Sequence, residues 1–494
     1  MIVTMVVTLF TMRLVLTELG VLDYGIYVAV GGFVSLFSMV SGSLSVAISR
    51  FICVGMVEQE RSTKLNVLFY SSLNLQIVLS IIIIFIAELL GYWFINYEMN
   101  IPENRVFVAH FVLHSSIFTF VIGLLNVPYN ALIIAYEKMS AFAYISILEV
   151  TLKLLIVALL VLLPYDKLMV YSISLFVVSV LIRSIYAFYC RYNFSCCRYK
   201  LHIDGGIVND LCKFIGWAFC GNAVVVLRDQ GISVLLNIFC GPAVNAATAI
   251  AYQVNANLFK LVSTFLTAVS PQITKSYASR DIEYMHNLII KSSKFGFFIL
   301  ITCVLPISIN IDYVLRLWLS EVPSHTSNFI QIMFLSSVLS CLDFPLLQGI
   351  LAQGQIRKYE ITLTCLYTIN SLGSYLLLKM NGAPEIVFFL NLFFDSIVLV
   401  VLLVHAKEKI NLSIGDYIKK VILPSFMVLL VSLVSGSTLK LQDQSFLYFC
   451  ANSLLICTIT LCSVLLLGLS KSEKDFLLNE IKKRASQSRS QKKT

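Results

Sequence analysis

The sequence predicts an all-α polytopic membrane protein of about fourteen transmembrane helices. Three observations carry that reading. Of the 494 residues, 58% are hydrophobic and only 13% are charged, with a mean hydropathy of +0.87; a soluble chain has roughly 45–50% apolar and about 25% charged residues. The apolar residues fall into long runs, and about 20 such residues cross a hydrocarbon core roughly 30 Å thick. These runs are continuous rather than alternating over ten-residue segments, so helices, not barrel strands, satisfy the backbone in lipid.

In order, spans are expected at 2–19, 24–48, 66–95, 106–134, 141–163, 168–189, 214–239, 244–273, 294–312, 328–352, 360–378, 385–404, 421–437 and 446–468. Lys and Arg set their orientation. The loops after even-numbered spans, with the tail and with Lys294 at the start of span 9, hold 26 of the 36 basic residues; the loops after odd-numbered spans hold five, and five lie deeper inside spans. The tail is therefore expected in the cytoplasm, and an even span count places the N-terminus there too. The net charge of +9 follows this topology and the basic tail rather than any affinity for nucleic acid. Met1 opens directly into apolar residues, with no basic flank and no signal-peptide pattern, so a short polar leader is expected upstream of the given start.

No loop is long enough to fold by itself. The tail from Ser470 opens as an amphipathic helix (Phe476, Leu477, Leu478 and Ile481 among Lys and Glu) and ends in A-S-Q-S-R-S-Q-K-K-T, disordered by composition. The thirteen cysteines are scattered, mostly inside spans, without zinc spacing. They read as small hydrophobes; the vicinal Cys196-Cys197 pair lies in a loop expected to be cytoplasmic and reduced.

The halves repeat at an offset near 220 residues. Gly20 before span 2 matches Gly241 before span 8, Ile101-Pro102 matches Val322-Pro323, and Pro128…Ala135 matches Pro345…Ala352 at equal spacing. Six spans per half is even, so the repeat is parallel, about an axis along the membrane normal, with the substrate path between halves. The expected domains are a six-helix bundle (1–190), an inter-bundle loop (191–213), a second bundle (214–405), two further helices (406–469) and the basic tail (470–494).

Several stretches resemble one family: R-L-V-L-T-E-L-G-V-L-D-Y-G-I-Y (13–27), V-P-Y-N-A-L-I-I-A-Y-E-K-M-S-A-F-A-Y (127–144), G-P-A-V-N-A-A-T-A-I-A (241–251), S-P-Q-I-T-K-S-Y (270–277) and L-R-L-W-L-S-E-V-P (315–323). They are similar to the O-antigen-type flippases of the multidrug/oligosaccharidyl-lipid/polysaccharide exporter superfamily, over roughly residues 1–410. The resemblance implies a MATE-like fold, two six-helix bundles facing a cavity open alternately to either side. It also implies a polyprenyl-diphosphate-linked glycan as cargo, no cofactor, a bacterial inner-membrane location and a polysaccharide polymerase and glycosyltransferases as partners.

The residues that would carry transport are the charges inside spans. A cation at mid-membrane costs roughly 2.5–3.5 kcal/mol on insertion scales, so Arg13, Lys153, Arg183, Arg228 and Lys260 must face a wet cavity, snorkel or pair. Arg228, deep in span 7, offers a planar fork for a diphosphate or acidic sugar, or pairs with another helix. Its neighbour Asp229 points about 100° away, so a good pair between them is not expected. Lys260 in span 8 has the same two readings. Arg13, in a stretch that carries the resemblance, is a cavity residue or a partner of Glu18. Arg50, at the end of span 2, meets an incoming diphosphate or anchors the positive-inside loop. Glu149 and Lys153 read as a self-neutralising i,i+4 pair, and Arg183 as an interfacial anchor. Asp229, Asp343 and Asp395 are candidates for ion coupling. His110 and His114 share a face, where hydrogen-bonded packing is favoured over a metal pair, and no metal site is expected. Tyr24, Tyr27, Tyr129 and Tyr252 are candidates for stacking on sugars.

Two other functions stay open. A MATE-type drug/cation antiporter needs an acidic cavity, whereas the deep charges here lean basic. A membrane glycan polymerase or ligase usually carries a sizeable external loop, and the chain shows no H-E-x-x-H, G-x-S-x-G or Walker motif.

Overall fold

Helix breaks fall at Gly20 and Gly241, the two glycines matched between the halves of the sequence. A computed structural model describes residues 2–57, 61–99, 101–160, 164–197, 204–319, 322–438, 445–471 and 473–475. Helix α1 (Ile2–Ser35) is interrupted at Gly20, where φ is 75° and ψ 168°. α7 (Gly205–Cys240) gives way to α8 (Pro242–Ala278) through Gly241 at φ 87°. A side chain with a Cβ rarely adopts such a φ. Pro242 then starts α8, at a position where its missing N–H costs nothing.

The remaining helices are α2 (Ser38–Gly55), α3 (Arg61–Trp93), α4 (Val106–Ala135), α5 (Met139–Leu160), α6 (Lys167–Asn193), α9 (Ile282–Ile309), α10 (Ile311–Trp318), α11 (Thr326–Gln353), α12 (Arg357–Lys379), α13 (Glu385–Ile410), α14 (Ile414–Tyr417), α15 (Leu423–Thr438) and α16 (Phe446–Ser463). Twelve helical stretches among the described residues are long and apolar enough to cross a membrane. α1 and α8 lie outside that set, so the count is two short of the fourteen spans expected. The chain is a multi-pass membrane protein. The tail residues Phe476–Ile481 and the basic end beyond them lie outside the described residues.

By contacts the chain divides into two units. The first comprises Met1–Gln230, Thr267–Met285 and Ile350–Thr368. Its centre is α4, which packs on α6, α3, α2 and α1. The buried positions Val108, Val112, Leu113, Ile117, Val121, Leu124, Pro128, Leu132 and Ala135 recur at helical spacing along it. Because lipid is as apolar as leucine, such helices associate by close packing. Gly91 of α3 meets Leu113 so tightly that a Cβ there would stand 2.7 Å from its methyl groups. Arg105 ties three segments, pairing with Asp23 at 2.9 Å and with Asp166, the N-cap of α6.

The second unit comprises Gly231–Leu266, His286–Gly349 and Ile369–Thr494. Polar side chains join its helices: Asn370 donates to Asn391 at 2.8 Å, and Asn452 to Asn310 at 3.1 Å. Fully buried Tyr417 donates to the Leu342 carbonyl at 3.0 Å. Each removes a buried polar group that lipid would leave unpaired.

Candidate functional site

Arg228, in the first unit, sits on a seam between α7 and α12. Gly221 and Arg228 lie seven residues apart on α7, as Glu360 and Tyr367 do on α12. Gly221 faces Glu360, and the Arg228 guanidinium lies 4.3 Å from the Tyr367 ring centroid. The equal steps mean that the helices run parallel, two turns of one matching two turns of the other. One turn before Gly221, Trp217 lies under Arg357 at 5.1 Å.

Arg228 is well buried, with its side chain 13% exposed, and its Nε donates to Asp229 Oδ1 at 3.0 Å. This corrects the expectation from helix geometry that these neighbours do not pair. The Cβ vectors diverge, but the arginine stem is long and flexible enough to fold its guanidinium back to the next carboxylate. Asp229 therefore neutralises Arg228, while the guanidinium face rests on an aromatic ring.

Glu360 is the acid that sequence reasoning missed. It is 6% exposed, and its Oε2 has no hydrogen-bond partner among the described residues. A Cβ on residue 221 would overlap its carboxylate, so the glycine is what admits it. In the sequence Glu360 looked like an ordinary acid in the first turn of a helix, favoured there by the helix dipole.

Arg50, at the end of α2, donates its Nε to the Leu351 carbonyl at 2.7 Å and lies 5.0 and 5.2 Å from the rings of Phe51 and Phe214. Nearby, Glu137 closes α4 with φ 59° and accepts from Lys275 Nζ at 2.7 Å and Gln272 Nε2 at 3.1 Å. Burial works to raise the Glu137 carboxyl, but the hydrogen bonds from Lys275 and Gln272 and the lysine charge outweigh it and hold the group below its ordinary value. Two stretches that carry the family resemblance, 127–144 and 270–277, thus meet through these side chains.

A cavity of ≈ 260 Å³ lies within the first unit, lined by Tyr27, Ser35, Ser116, Thr119 and Ser172 together with the apolar Val34, Phe120 and Leu175. Tyr27 is the predicted stacking residue that the structure places there. Tyr129 is buried instead, under the Arg183 guanidinium at 4.6 Å and against Phe69 at 5.2 Å. Glu18 pairs with Lys167 at 3.0 Å; the Arg13 side chain lies outside the described residues. The Glu149–Lys153 pair forms, at 2.6 Å. His114 meets Glu88 at 2.8 Å, and His110 Nε2 lies 3.4 Å from Asn96 Oδ1.

In the second unit Lys260 is exposed on α8, with Ser263 and Thr264 donating to its carbonyl. Asp395 on α13 lies within electrostatic reach of Asp343 on α11, whose Oδ1 is buried without a hydrogen-bond partner among the described residues. The structure therefore brings together Arg228 with Asp229 and Asp343 with Asp395, while Arg50 is held by a backbone carbonyl.

A family model described as polysaccharide biosynthesis protein matches residues 1–277. Curated proteins give no match. Among solved structures, a MATE transporter in its straight conformation superposes with a TM-score of 0.71 at 13% identity, covering 83% of this chain and 94% of that one. A superfamily transporter from Pyrococcus furiosus, described as having a binding pocket of reverse polarity that suggests a different function, gives 0.69 at 14% identity, covering 83% and 93%. A MATE-family multidrug resistance transporter in an outward-facing conformation gives 0.65 at 12%, covering 83% and 94%. The fold is that of the MATE transporters.

Proposed function

The chain belongs to the polysaccharide biosynthesis protein family, and from that premise we propose that it flips polyprenyl-diphosphate-linked oligosaccharide units across the bacterial inner membrane, both termini being cytoplasmic. The observation that carries this reading is a guanidinium buried within a transmembrane helix of a MATE-fold protein. Removing a cation from water is costly, and Asp229 with Tyr367 offsets that cost at rest. An arriving diphosphate supplies two further anionic faces for the same planar fork, with better geometry than a sequence neighbour.

In the cycle we envisage, Arg228 exchanges Asp229 for the diphosphate, with Arg50, Lys260 and Arg13 as further cations along the path. The cavity by Tyr27 suits a sugar. The polyprenyl chain stays in lipid while the head group crosses, and no covalent step is involved. Asp343 and Asp395, acids inside spans, would hold the coupling proton or cation. A cationic cargo site favours this reading over drug/cation antiport, in keeping with the reversed pocket polarity described for the Pyrococcus furiosus relative.

The test is genetic. In a deletion strain, lipid-linked repeat units are extracted and their sidedness is read with an impermeant glycosidase, with complementation by wild type and Arg228→Ala. Units should accumulate facing the cytoplasm and be cleared by wild type only. Accumulation on the outer face would instead indicate a polymerase or ligase, and no accumulation would turn attention to drug efflux.

A further inference from the structure

The second unit holds a basic cavity that transport of a glycan does not use. It lies among the start of α9, the turn Ile418–Ile422 ahead of α15, and the end of the last transmembrane helix at Gly468, and its volume is ≈ 710 Å³. That is within the range of small-ligand sites, about 300–1,000 Å³. Four lysines line it, Lys291, Lys294, Lys419 and Lys420, against one carboxylate, Glu473.

The cavity has a built floor. Lys294 is 4% exposed and donates to Glu473 Oε2 at 2.6 Å. Glu473 also accepts from the Ser470 amide at 2.8 Å and its hydroxyl at 2.9 Å, while the Glu473 amide faces the Ser470 hydroxyl at 3.4 Å. This is a capping box over S-K-S-E, and it starts the tail against the cavity wall. Lys294 and Glu473 cancel one another. Lys291, Lys419 and Lys420 remain, exposed and, among the described residues, without a carboxylate partner. Phe295, Pro424 and Leu469 make the opposite wall apolar.

A second hollow, ≈ 320 Å³ and almost wholly apolar, lies between α15 and α16. Leu467 lines both. A charged cavity that shares a wall with an apolar groove fits an amphiphile rather than a free anion. The lysines stand at the ends of spans that the charge pattern assigns to the cytoplasmic leaflet, whose anionic lipids attract such clusters. We propose that this pair of hollows binds an anionic glycerophospholipid, its phosphate held by Lys291, Lys419 and Lys420 and an acyl chain in the groove between α15 and α16. The site involves the two helices outside the repeat, and it stands whether or not the protein flips a glycan.

The test uses the purified full-length protein and native mass spectrometry. Phosphatidylglycerol, phosphatidylcholine, polyprenyl phosphate and inorganic phosphate are offered separately at equal concentration. Phosphatidylglycerol should remain bound at one per chain and the other three should not. Lys291→Gln, Lys419→Gln and Lys420→Gln combined keep the stems and spare the Lys294–Glu473 pair; affinity should fall on the order of a hundredfold. Leu467→Trp, which narrows the groove and leaves every lysine, should also weaken binding. Equal retention by the triple variant overturns the proposal, as does equal binding of phosphatidylcholine. Preference for inorganic phosphate would make the site a plain anion site, and preference for polyprenyl phosphate would assign it to cargo lipid; either result also overturns it.

Discussion

Replacing Gly354 by alanine strikes one backbone position and one cation together. Gly354 ends α11 with φ 91°, and a Cβ there would collide with the Arg50 guanidinium. Forcing an L-residue into left-handed backbone costs about 1–2 kcal/mol. Moving Arg50 also breaks its hydrogen bond to Leu351, 2.7 Å long; a hydrogen bond to a charged group is worth about 1.5–3 kcal/mol. Gly354→Ala should therefore destabilise the purified protein by about 2.5–5 kcal/mol if Arg50 finds no new partner, and by about 1–2 kcal/mol if it relaxes freely. A double-mutant cycle separates the two contributions. In an Arg50→Ala background only the backbone cost remains, so the Gly354→Ala penalty should shrink by more than ~0.5 kcal/mol, the usual limit of additivity for distant sites. Denaturant titration in detergent measures all four proteins. Equal penalties in both backgrounds would refute the idea that the glycine exists to admit the arginine.

Three further outcomes follow from the same geometry. Tyr367→Leu should cost about 0.5–2 kcal/mol more than Tyr367→Phe, which keeps the ring against Arg228, through the lost cation–π contact; thermal unfolding compares the two. Glu137 is held below its ordinary value by Lys275 and Gln272. Its contribution to stability is therefore complete above the unfolded value near 4.3 and is lost as pH falls through the lower folded value; Glu137→Gln should flatten that acid limb of a stability-versus-pH curve. In α5, Lys153→Met should cost more than Glu149→Gln with Lys153→Met combined, because the single change leaves a carboxylate unpaired within a span; unfolding midpoints of the three proteins decide it.

Much of the fold was legible because lipid simplifies the code. Span limits follow from apolar length, and the breaks at Gly20 and Gly241 follow from residues able to hold φ near 75° and 87°. Equal spacing from Pro128 to Ala135 and from Pro345 to Ala352 is the sequence sign of a repeat on the same ground: proline and glycine mark backbone events that few other residues can replace. The candidate site was legible only in part. Arg228 stood out because a deep cation demands an explanation, but its partner was misjudged, since Cβ directions do not limit a long side chain. Glu360 and Lys294 stand at the first residues of the expected spans 360–378 and 294–312, where acids and lysines are common. Their significance lies in what distant sequence brings to them: Gly221 in one case and Glu473, 179 residues away, in the other. Spacing along a helix carries no trace of such pairings.

We propose that Arg228 grips a phosphorylated head group and carries it across the bilayer. The most direct test is transport in proteoliposomes of the purified protein, loaded on one face with polyprenyl-diphosphate-linked glycan and sampled by an impermeant glycosidase over time. Wild type should expose the protected glycan at a rate that Arg228→Ala abolishes and Arg228→Lys, a cation without the planar fork, restores only in part. Glycan that crosses equally fast in Arg228→Ala vesicles, or does not cross with wild type in either direction, would contradict the account.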